Sequence, residues 1–217
     1  MPCIHKFHED LYLKKIDFEP ITLIVGTFNP SWPLENKAEW FYGRTHDANG
    51  NQNNNFWEVL PRLYGEDSLI SASPDKWKLF CKRNAIAITD LIYSINDANE
   101  ENPRHRDLLK GFSDNNIATE FEDHTKVEII QILNDHPSIK NIYLTRGAGQ
   151  TFWKNLWKPV IDFSISKDKY ESRLLTPSGY AYYQHGRYNK AHPEKPIIKL
   201  ADFILRSWRE NWHFEEK

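Results

Sequence analysis

Three short segments of the chain place polar side chains directly after apolar runs. They are residues 26–30 (GTFNP), residues 89–90 (TD) and residues 176–180 (TPSGY). Their amide, carboxylate and hydroxyl groups can orient a water molecule or read the hydrogen-bonding edge of a ligand. Ligands of open α/β proteins bind outside the carboxyl ends of the strands, so we expect the three segments to converge on one site.

The elements that must position these segments follow from hydrophobic periodicity. Apolar runs predict strands over residues 21–25, 85–91, 139–145 and 173–175. Apolar stripes and start signals predict helices over 56–63, 77–82, 124–134 and 150–157, and a last helix from Pro196. Residues 97–123 read as an irregular polar loop. Alternating strands and helices predict an α/β protein with a parallel sheet covered on both faces.

The composition bounds the class of protein. The chain has 217 residues, and we expect one domain over residues 1–217. Aromatic residues make up 14%, including eight tryptophans. These rings either build the core or stack on a planar ligand in a cleft. The net charge of −2 argues against a protein that coats nucleic acid non-specifically.

Cysteine and histidine usage argues against a metal site. Two cysteines, Cys3 and Cys81, cannot form a four-thiolate centre, and no HExxH-like spacing occurs. We therefore expect no metal and no cofactor. No run approaches the ~20 apolar residues that span a bilayer, and the first twelve residues lack the apolar core of a signal peptide. We expect a cytoplasmic monomer with no membrane partner.

Several segments resemble the uracil-DNA glycosylase superfamily, most closely its mismatch-specific and hypoxanthine-acting branches. GTFNPSW is similar to the first active-site motif, FYGRT…NNNFWEVL to the aromatic stretch before Asn-x-Phe-Trp, and LLTPSGYA to the second motif. AIAITDLI and IKNIYLTRGAGQTFW are similar to the middle strand and a later strand–helix unit, so the resemblance extends over residues 20 to 185. It implies a three-layer α/β sandwich with a short central parallel sheet.

The resemblance also implies an activity. The enzyme would flip a deaminated base, uracil or hypoxanthine, out of DNA and hydrolyse its N-glycosidic bond in base-excision repair. The DNA that contains the damaged base would be its partner. No lysine occurs in the three motifs, so no Schiff base is expected and the glycosylase would be monofunctional. The alternative from another class is a non-catalytic module that keeps the fold and binds nucleic acid or a nucleotide.

Three residues would carry the catalysis that the resemblance implies. Asn29 falls where the family holds the attacking water; an amide cannot take a proton, so the expected mechanism is dissociative. Two residues separate Gly26 from Asn29, one more than in most branches, and Asn54 of NNNFW is the alternative. Asn54 can equally be a helix N-cap. Thr176 stands where other members have His or Asn, and its hydroxyl can donate to the leaving base.

Four residues would bind the base: Thr27, Phe28, Tyr42 and Asp90. Tyr42 falls at the aromatic position that stacks on the flipped base, with core packing as the alternative. An acceptor at Asp90 could read the N–H of uracil or hypoxanthine. Yet an ionised carboxylate opposes the departure of a base anion, which favours a structural cap or a protonated carboxyl at Asp90.

A further set would contact DNA. Ser178 and the backbone at Gly179 are expected at a phosphate. Tyr180 lies where the family inserts a wedge into the duplex; alternatively it packs under the loop with its neighbours Tyr182 and Tyr183. The candidate phosphate contacts among the arginines are Arg44, Arg146, Arg173 and Arg187. Residues 185–192 form either a DNA-backbone contact or a solvated loop.

Overall fold

The computed structural model describes residues 1–32, 36–47, 49–147 and 149–214, with residues 179 and 180 described by their backbone alone. The elements follow in chain order: β1 (Cys3–Ile4), β2 (Thr22–Gly26), α1 (Phe56–Leu63), α2 (Pro74–Arg83), β3 (Ile86–Asp90), β4 (Ile92–Ile95), α3 (Pro103–Lys110), α4 (Asp114–Glu120), β5 (His124–Lys126), α5 (Ile129–Asp135), β6 (Asn141–Leu144), α6 (Thr151–Ser166), β7 (Tyr170–Arg173), α7 (Gly179–Ala191) and α8 (Leu200–Asn211).

A four-stranded parallel sheet in the order β3-β2-β6-β7 forms the centre of the fold. Every residue of β2, β3 and β6 is buried, as expected when helices cover both faces of a parallel sheet. The register sets Gly26 beside Asp90 and Val25 beside Leu144. The carboxyl ends of these strands therefore lie at one edge, and the α/β class predicted from the sequence is confirmed.

A second sheet, which the sequence pattern did not predict, joins the N-terminus to the fold. It is antiparallel, with the order β1-β4-β5. Cys3 pairs with Ile95 and Ile4 with Ser94. Because β4 begins two residues after β3 ends, this pairing brings the start of the chain to the carboxyl edge of the parallel sheet.

The prediction of an irregular loop over residues 97–123 is wrong. That segment contains α3 and α4, and each begins at a side-chain cap. The side chain of Asn102 accepts a hydrogen bond from the backbone of Arg104, and that of Ser113 accepts one from Asn116. Asparagine before proline and serine before aspartate are start signals for helices. Here their side chains begin two short helices that frame the functional edge of the sheet.

Four other boundaries differ from the sequence prediction. Residues 124–134 are not one helix but β5 followed by α5, because the exposed HTK segment pairs with β4. The last strand ends at Arg173 and covers 170–173 rather than 173–175. The last helix begins at Leu200, not Pro196. Residues 185–192, expected to form either a DNA-backbone contact or a solvated loop, lie almost entirely in α7, which covers Gly179–Ala191.

Aromatic residues build much of the core. All eight tryptophans are buried. Trp57 stacks on Trp77 with ring centroids 5.0 Å apart, and Tyr143 stacks on Trp212 at 4.2 Å. Offset aromatic pairs stabilise a core beyond the area they bury. In the described ranges, no helix has the length and hydrophobicity needed to cross a membrane.

Candidate active site

A cavity of about 630 Å³ opens at the carboxyl edge of the parallel sheet. All three segments singled out in the sequence line it. Its walls are Gly26, Thr27, Phe28, Asn29, Tyr42, Arg44, Asn53, Asn54, Asp90, residues 111–115, Thr145, Arg146, Gly147, Gly149, Thr176, Pro177 and Ser178. Polar side chains from distant parts of the chain therefore converge on one space, as predicted from their positions at strand ends.

Gly26 forms part of the cavity floor because it has no side chain. A Cβ atom there would lie 2.1 Å from Asp90 Oδ1 and 2.8 Å from the Tyr42 hydroxyl. Both distances are shorter than any tolerated contact. The glycine thus makes room for a carboxylate and a phenol to approach the end of β2 side by side.

Asp90 is held by a buried histidine that the sequence did not point to. His5 Nε2 lies 2.7 Å from Asp90 Oδ2, and His5 is fully buried. His5 Nδ1 accepts a hydrogen bond from the backbone N–H of Phe7 at 2.9 Å, so Nε2 carries the proton and donates it to Asp90. Oδ2 is therefore an acceptor, and Oδ1 is the oxygen beside Gly26 in the cavity floor.

Tyr42 packs in the core and also lines the cavity, and its stacking on a base stays a prediction. Its ring stacks on Phe56 with centroids 3.8 Å apart and planes 2° from parallel, while the residue also lines the cavity. Thr145 Oγ1 donates to the Val25 carbonyl at 3.3 Å, so the Tyr42 hydroxyl donates to Thr145 at 2.7 Å. Burial, with a smaller contribution from Asp90, raises the pKa of the hydroxyl, which stays protonated.

Asn29 lies in the cavity wall with one amide atom already engaged. Asn36 Nδ2 donates to Asn29 Oδ1 at 2.5 Å and to the Pro30 carbonyl at 2.6 Å. Asn36 Oδ1 in turn accepts from the backbone of Ala38 at 3.1 Å, which fixes the orientation of its amide. The oxygen of Asn29 therefore faces Asn36, and one of its two lone pairs remains for another donor.

The segment at Asn54 is bound to the second motif. Asn54 Oδ1 accepts from the backbone N–H of Phe56 at 2.8 Å, and Asn54 also lines the cavity. The N-cap residue of α1 is Asn55, so the alternative that made Asn54 the N-cap is wrong. The next residue, Asn55, donates to the Pro177 carbonyl through its backbone at 2.7 Å and through its side chain at 3.1 Å. These contacts hold the two motif loops together across the cavity.

Asp114, a carboxylate that the sequence prediction missed, lines another wall of the cavity. Thr27 Oγ1 donates to Asp114 Oδ1 at 2.7 Å, and Arg146 Nε donates to Oδ2 at 2.9 Å. Burial raises the pKa of Asp114 despite these two donors. Arg146 also packs its guanidinium over Trp153. Arg146 is thus engaged in an internal ion pair, unlike the phosphate contact expected for it.

Arg44 and Phe112 meet across the cavity. The guanidinium of Arg44 lies 4.3 Å from the centroid of the Phe112 ring. Burial lowers the pKa of Arg44, which remains a cation, and within the described residues it forms no ion pair with a carboxylate. Tyr42 and Phe112 both have positive φ, 55° in each case. Such backbone strain often accompanies functional sites.

The second motif leads from the cavity into a helix. The hydroxyls of Thr176 and Ser178 lie 3.1 Å apart in the cavity wall. Ser178 is the N-cap residue of α7, so Gly179 begins that helix. The side chain of Tyr180 lies outside the described part of the chain, and its role as a wedge stays a prediction. Arg187 lies farther along α7, exposed and outside the cavity wall.

The residues that sequence reasoning missed fall into two groups. His5 and Asn36 act through contacts with distant residues, and no local pattern marks them. Phe112 and Asp114 belong to the segment read as a loop, and the cap signal Ser113-Asp114 could have located them. In the described part of the chain, no group of three His, Cys, Asp or Glu side chains is placed to hold a metal ion.

Comparison with known proteins supports the fold. No protein-family model matches the chain, and no curated protein matches it in sequence. In structure it is similar to a protein of Methanosarcina acetivorans, solved in solution by NMR and described as a "putative uracil DNA glycosylase". The identity is 15%, the TM-score is 0.50, and the match covers 91% of this chain and 94% of the other. The chain therefore has an α/β fold of the uracil-DNA glycosylase type.

Proposed function

We propose that this protein is a monofunctional DNA glycosylase that hydrolyses the N-glycosidic bond of a deaminated base. The proposal rests on one observation: all three segments that resemble glycosylase motifs line a single cavity, together with Asp90. The fold shared with the M. acetivorans protein supports it. A flipped nucleotide must enter such a pocket because its glycosidic bond is inaccessible inside a duplex.

In this proposal the cavity floor reads the base. Asp90 Oδ1 accepts an N–H from the Watson–Crick edge, which hypoxanthine offers at N1 and uracil at N3. Phe28 and Tyr42 supply apolar surface beside the base, and Thr27 contacts it from the wall. Hypoxanthine fits the charge of Asp90 better than uracil. A purine protonated at N7 departs neutral, whereas uracil departs as an anion beside the carboxylate.

The hydrolytic step follows a dissociative course. As the base leaves, the sugar becomes cationic, and the carboxylate of Asp90 stabilises that charge. Asn29 Oδ1, which accepts one hydrogen bond from Asn36, binds the attacking water through its second lone pair. Bulk water supplies the proton at N7 of the departing purine and takes up the proton that the attacking water loses after it adds to the sugar cation. The hydroxyl of Thr176 donates to the departing base. Asn54 supports the wall through its hydrogen bond to the Phe56 N–H, and it is the alternative position for the water.

DNA contacts come from the rim of the cavity. Arg44 supplies a cation whose guanidinium lies over the Phe112 ring at the cavity. Ser178 and Gly179 offer a hydroxyl and the backbone N–H groups at the start of α7 to a phosphate. Such contacts position the strand so that the target nucleotide can reach the cavity.

The experiment that tests the proposal is a glycosylase assay on a defined panel. Single strands and duplexes carry uracil, hypoxanthine, xanthine or a G·T mismatch, and alkali cleaves any abasic product. We expect strand cleavage on at least one substrate, with hypoxanthine first. Asn29→Ala should abolish it, which excludes a contaminating enzyme, and Asn49→Ala at an exposed position outside the cavity should retain it.

A second candidate function is a non-catalytic binder on the same fold. One observation favours it: the amide oxygens of Asn29 and Asn54 both accept a hydrogen bond from the protein. Neither amide is therefore fully available to water. The two functions separate in the same assay, because a binder would retain lesion-containing DNA on a filter without producing alkali-sensitive sites.

A further inference from the structure

Helix α7 carries an exposed stripe of aromatic and cationic side chains. Tyr182 and Tyr183 are 70% and 61% exposed. One turn further, Arg187 is exposed, and its guanidinium lies 5.8 Å from the Tyr183 ring centroid. Lys190 continues the same face at the next turn and is also exposed. We call these four residues the α7 stripe.

The opposite face of α7 is anchored, so the stripe has a fixed direction. Ala181 is fully buried. His185 Nε2 donates to the Ile198 carbonyl at 2.7 Å. The ring of Tyr188 packs on Phe203 of α8 with centroids 5.4 Å apart. Large exposed tyrosines on an anchored helix do not serve the core, and this contradicts the alternative in which Tyr182 and Tyr183 pack under the loop.

Charge and position indicate what the stripe binds. No acidic residue occurs among residues 179–191, although the whole chain has a net charge of −2. Ser178, the N-cap residue of α7, lines the cavity, and Tyr182 follows it by about one helical turn, so the stripe begins close to the cavity. Residues 182–190 extend over about 12 Å at ~1.5 Å per residue.

We propose that the α7 stripe binds single-stranded DNA next to the nucleotide held in the cavity. Unpaired bases stack on Tyr182 and Tyr183, and the phosphates lie beside Arg187 and Lys190. Bases in an intact duplex already stack on one another and cannot lie flat on exposed rings, so the occupant is unpaired strand. The inference rests on the proposed function for the choice of DNA, but it concerns binding rather than excision.

The test measures binding without any damaged base. Fluorescence anisotropy gives the Kd for a lesion-free single strand of fifteen nucleotides and for the matching duplex. The double variant Tyr182→Ala/Tyr183→Ala should raise the Kd for the single strand about tenfold or more, because stacking on each ring is lost. The Kd for the duplex should change less than about threefold. Arg187→Ala should lower the salt slope for the single strand by about 0.7, the value for one phosphate contact.

Two control variants test whether the loss of binding is specific to the α7 stripe. Leu79→Ala removes an exposed apolar side chain from α2, and Lys158→Ala removes an exposed cation from α6; neither should change binding. Unchanged single-strand binding in the double variant, or equal losses on both DNAs, would overturn the proposal. A wild-type dimer that dissociates in the double variant would instead assign the stripe to a second copy. The test uses undamaged DNA, so its result does not depend on whether the protein has glycosylase activity.

Discussion

The substitution Asp90→Asn exchanges an acceptor for a donor in the cavity floor. Phe7 N–H fixes the tautomer of His5, and His5 Nε2 donates to the side chain at position 90 over 2.7 Å. An asparagine there must turn its oxygen toward His5. Its amide nitrogen then takes the place of Oδ1 beside Gly26. The variant therefore presents N–H where the wild-type protein presents oxygen.

The expected effect is a change in base selectivity. Hypoxanthine N1–H and uracil N3–H lose an acceptor, whereas adenine N1 and cytosine N3 gain a donor. A hydrogen bond to a charged group contributes about 1.5–3 kcal/mol. Loss for one base and gain for the other together change their relative binding by about 3 kcal/mol, which is roughly a hundredfold. Volume is conserved, so the melting temperature should change little.

Two readouts check this result. Single-turnover excision compares hypoxanthine with adenine and uracil with cytosine in the same sequence. Titration of the free bases, followed by NMR shifts, reports binding without excision. The double variant Asp90→Asn/His5→Leu removes the donor that orients the amide, and it should lose the inverted preference. Asp90→Asn/His5→Gln, which keeps an N–H donor at position 5, should restore it.

An unchanged ratio for Asp90→Asn would refute the reasoning. In that case Oδ1 either carries a proton in the wild-type protein or makes no contact with the base. An equal loss of excision for all four bases, with unchanged binding of the free bases, would assign Asp90 to stabilising the sugar cation rather than to reading the base.

Further outcomes are expected at other positions. Asn29→Ala should lower the single-turnover rate by roughly two orders of magnitude, and Asn54→Ala should mainly cost about 1 kcal/mol of stability through the lost hydrogen bond to the Phe56 N–H; the reverse pattern would move the water to Asn54. Burial raises the pKa of Asp114, so the native state binds a proton more readily than the unfolded chain, and the associated stability is lost as pH rises through the native pKa. The melting temperature of Asp114→Asn relative to wild type should therefore increase from about pH 4 to about pH 8, and a decrease would contradict the assignment. Tyr180→Ala should reduce excision from duplex more than from single strands, whereas equal losses would indicate packing. A chelator should leave activity unchanged; a loss that a divalent ion restores would contradict this.

Local sequence patterns predicted most of the residues that line the cavity, but not the residues that hold them in position. Gly26, Asp90 and Thr176 could be placed together because each follows an apolar run, and parallel strands end at one edge of the sheet. The contact between His5 and Asp90 depends on the antiparallel pairing of β1 with β4. This pairing could not be predicted because a strand of two residues leaves no pattern in the sequence. The sequence therefore predicted a carboxylate at the site but not the imidazole that orients it.

The sequence prediction missed helices α3, α4 and α7 because their start signals were weak or were interpreted as parts of loops. The capped starts at Asn102 and Ser113 lie in polar sequence without a long apolar stripe, so periodicity did not reveal α3 and α4. Among the side chains of α7 that the structure describes, only Ala181 is buried, and Gly186 lies in the middle of the helix. Its helical state depends on packing against α8, which is tertiary information.

The contacts that close the cavity have a consequence for folding. They join residues far apart in the chain: 85 positions separate His5 from Asp90, 103 separate Tyr42 from Thr145, and 122 separate Asn55 from Pro177. Loop-closure entropy delays such contacts relative to local ones. The helices and the strand pairs with short separations, β4 with β5 and β6 with β7, can form while the motif loops are still apart. The cavity is therefore expected to be among the last regions to gain protection in refolding followed by pulsed hydrogen exchange, and among the first to lose it on mild destabilisation.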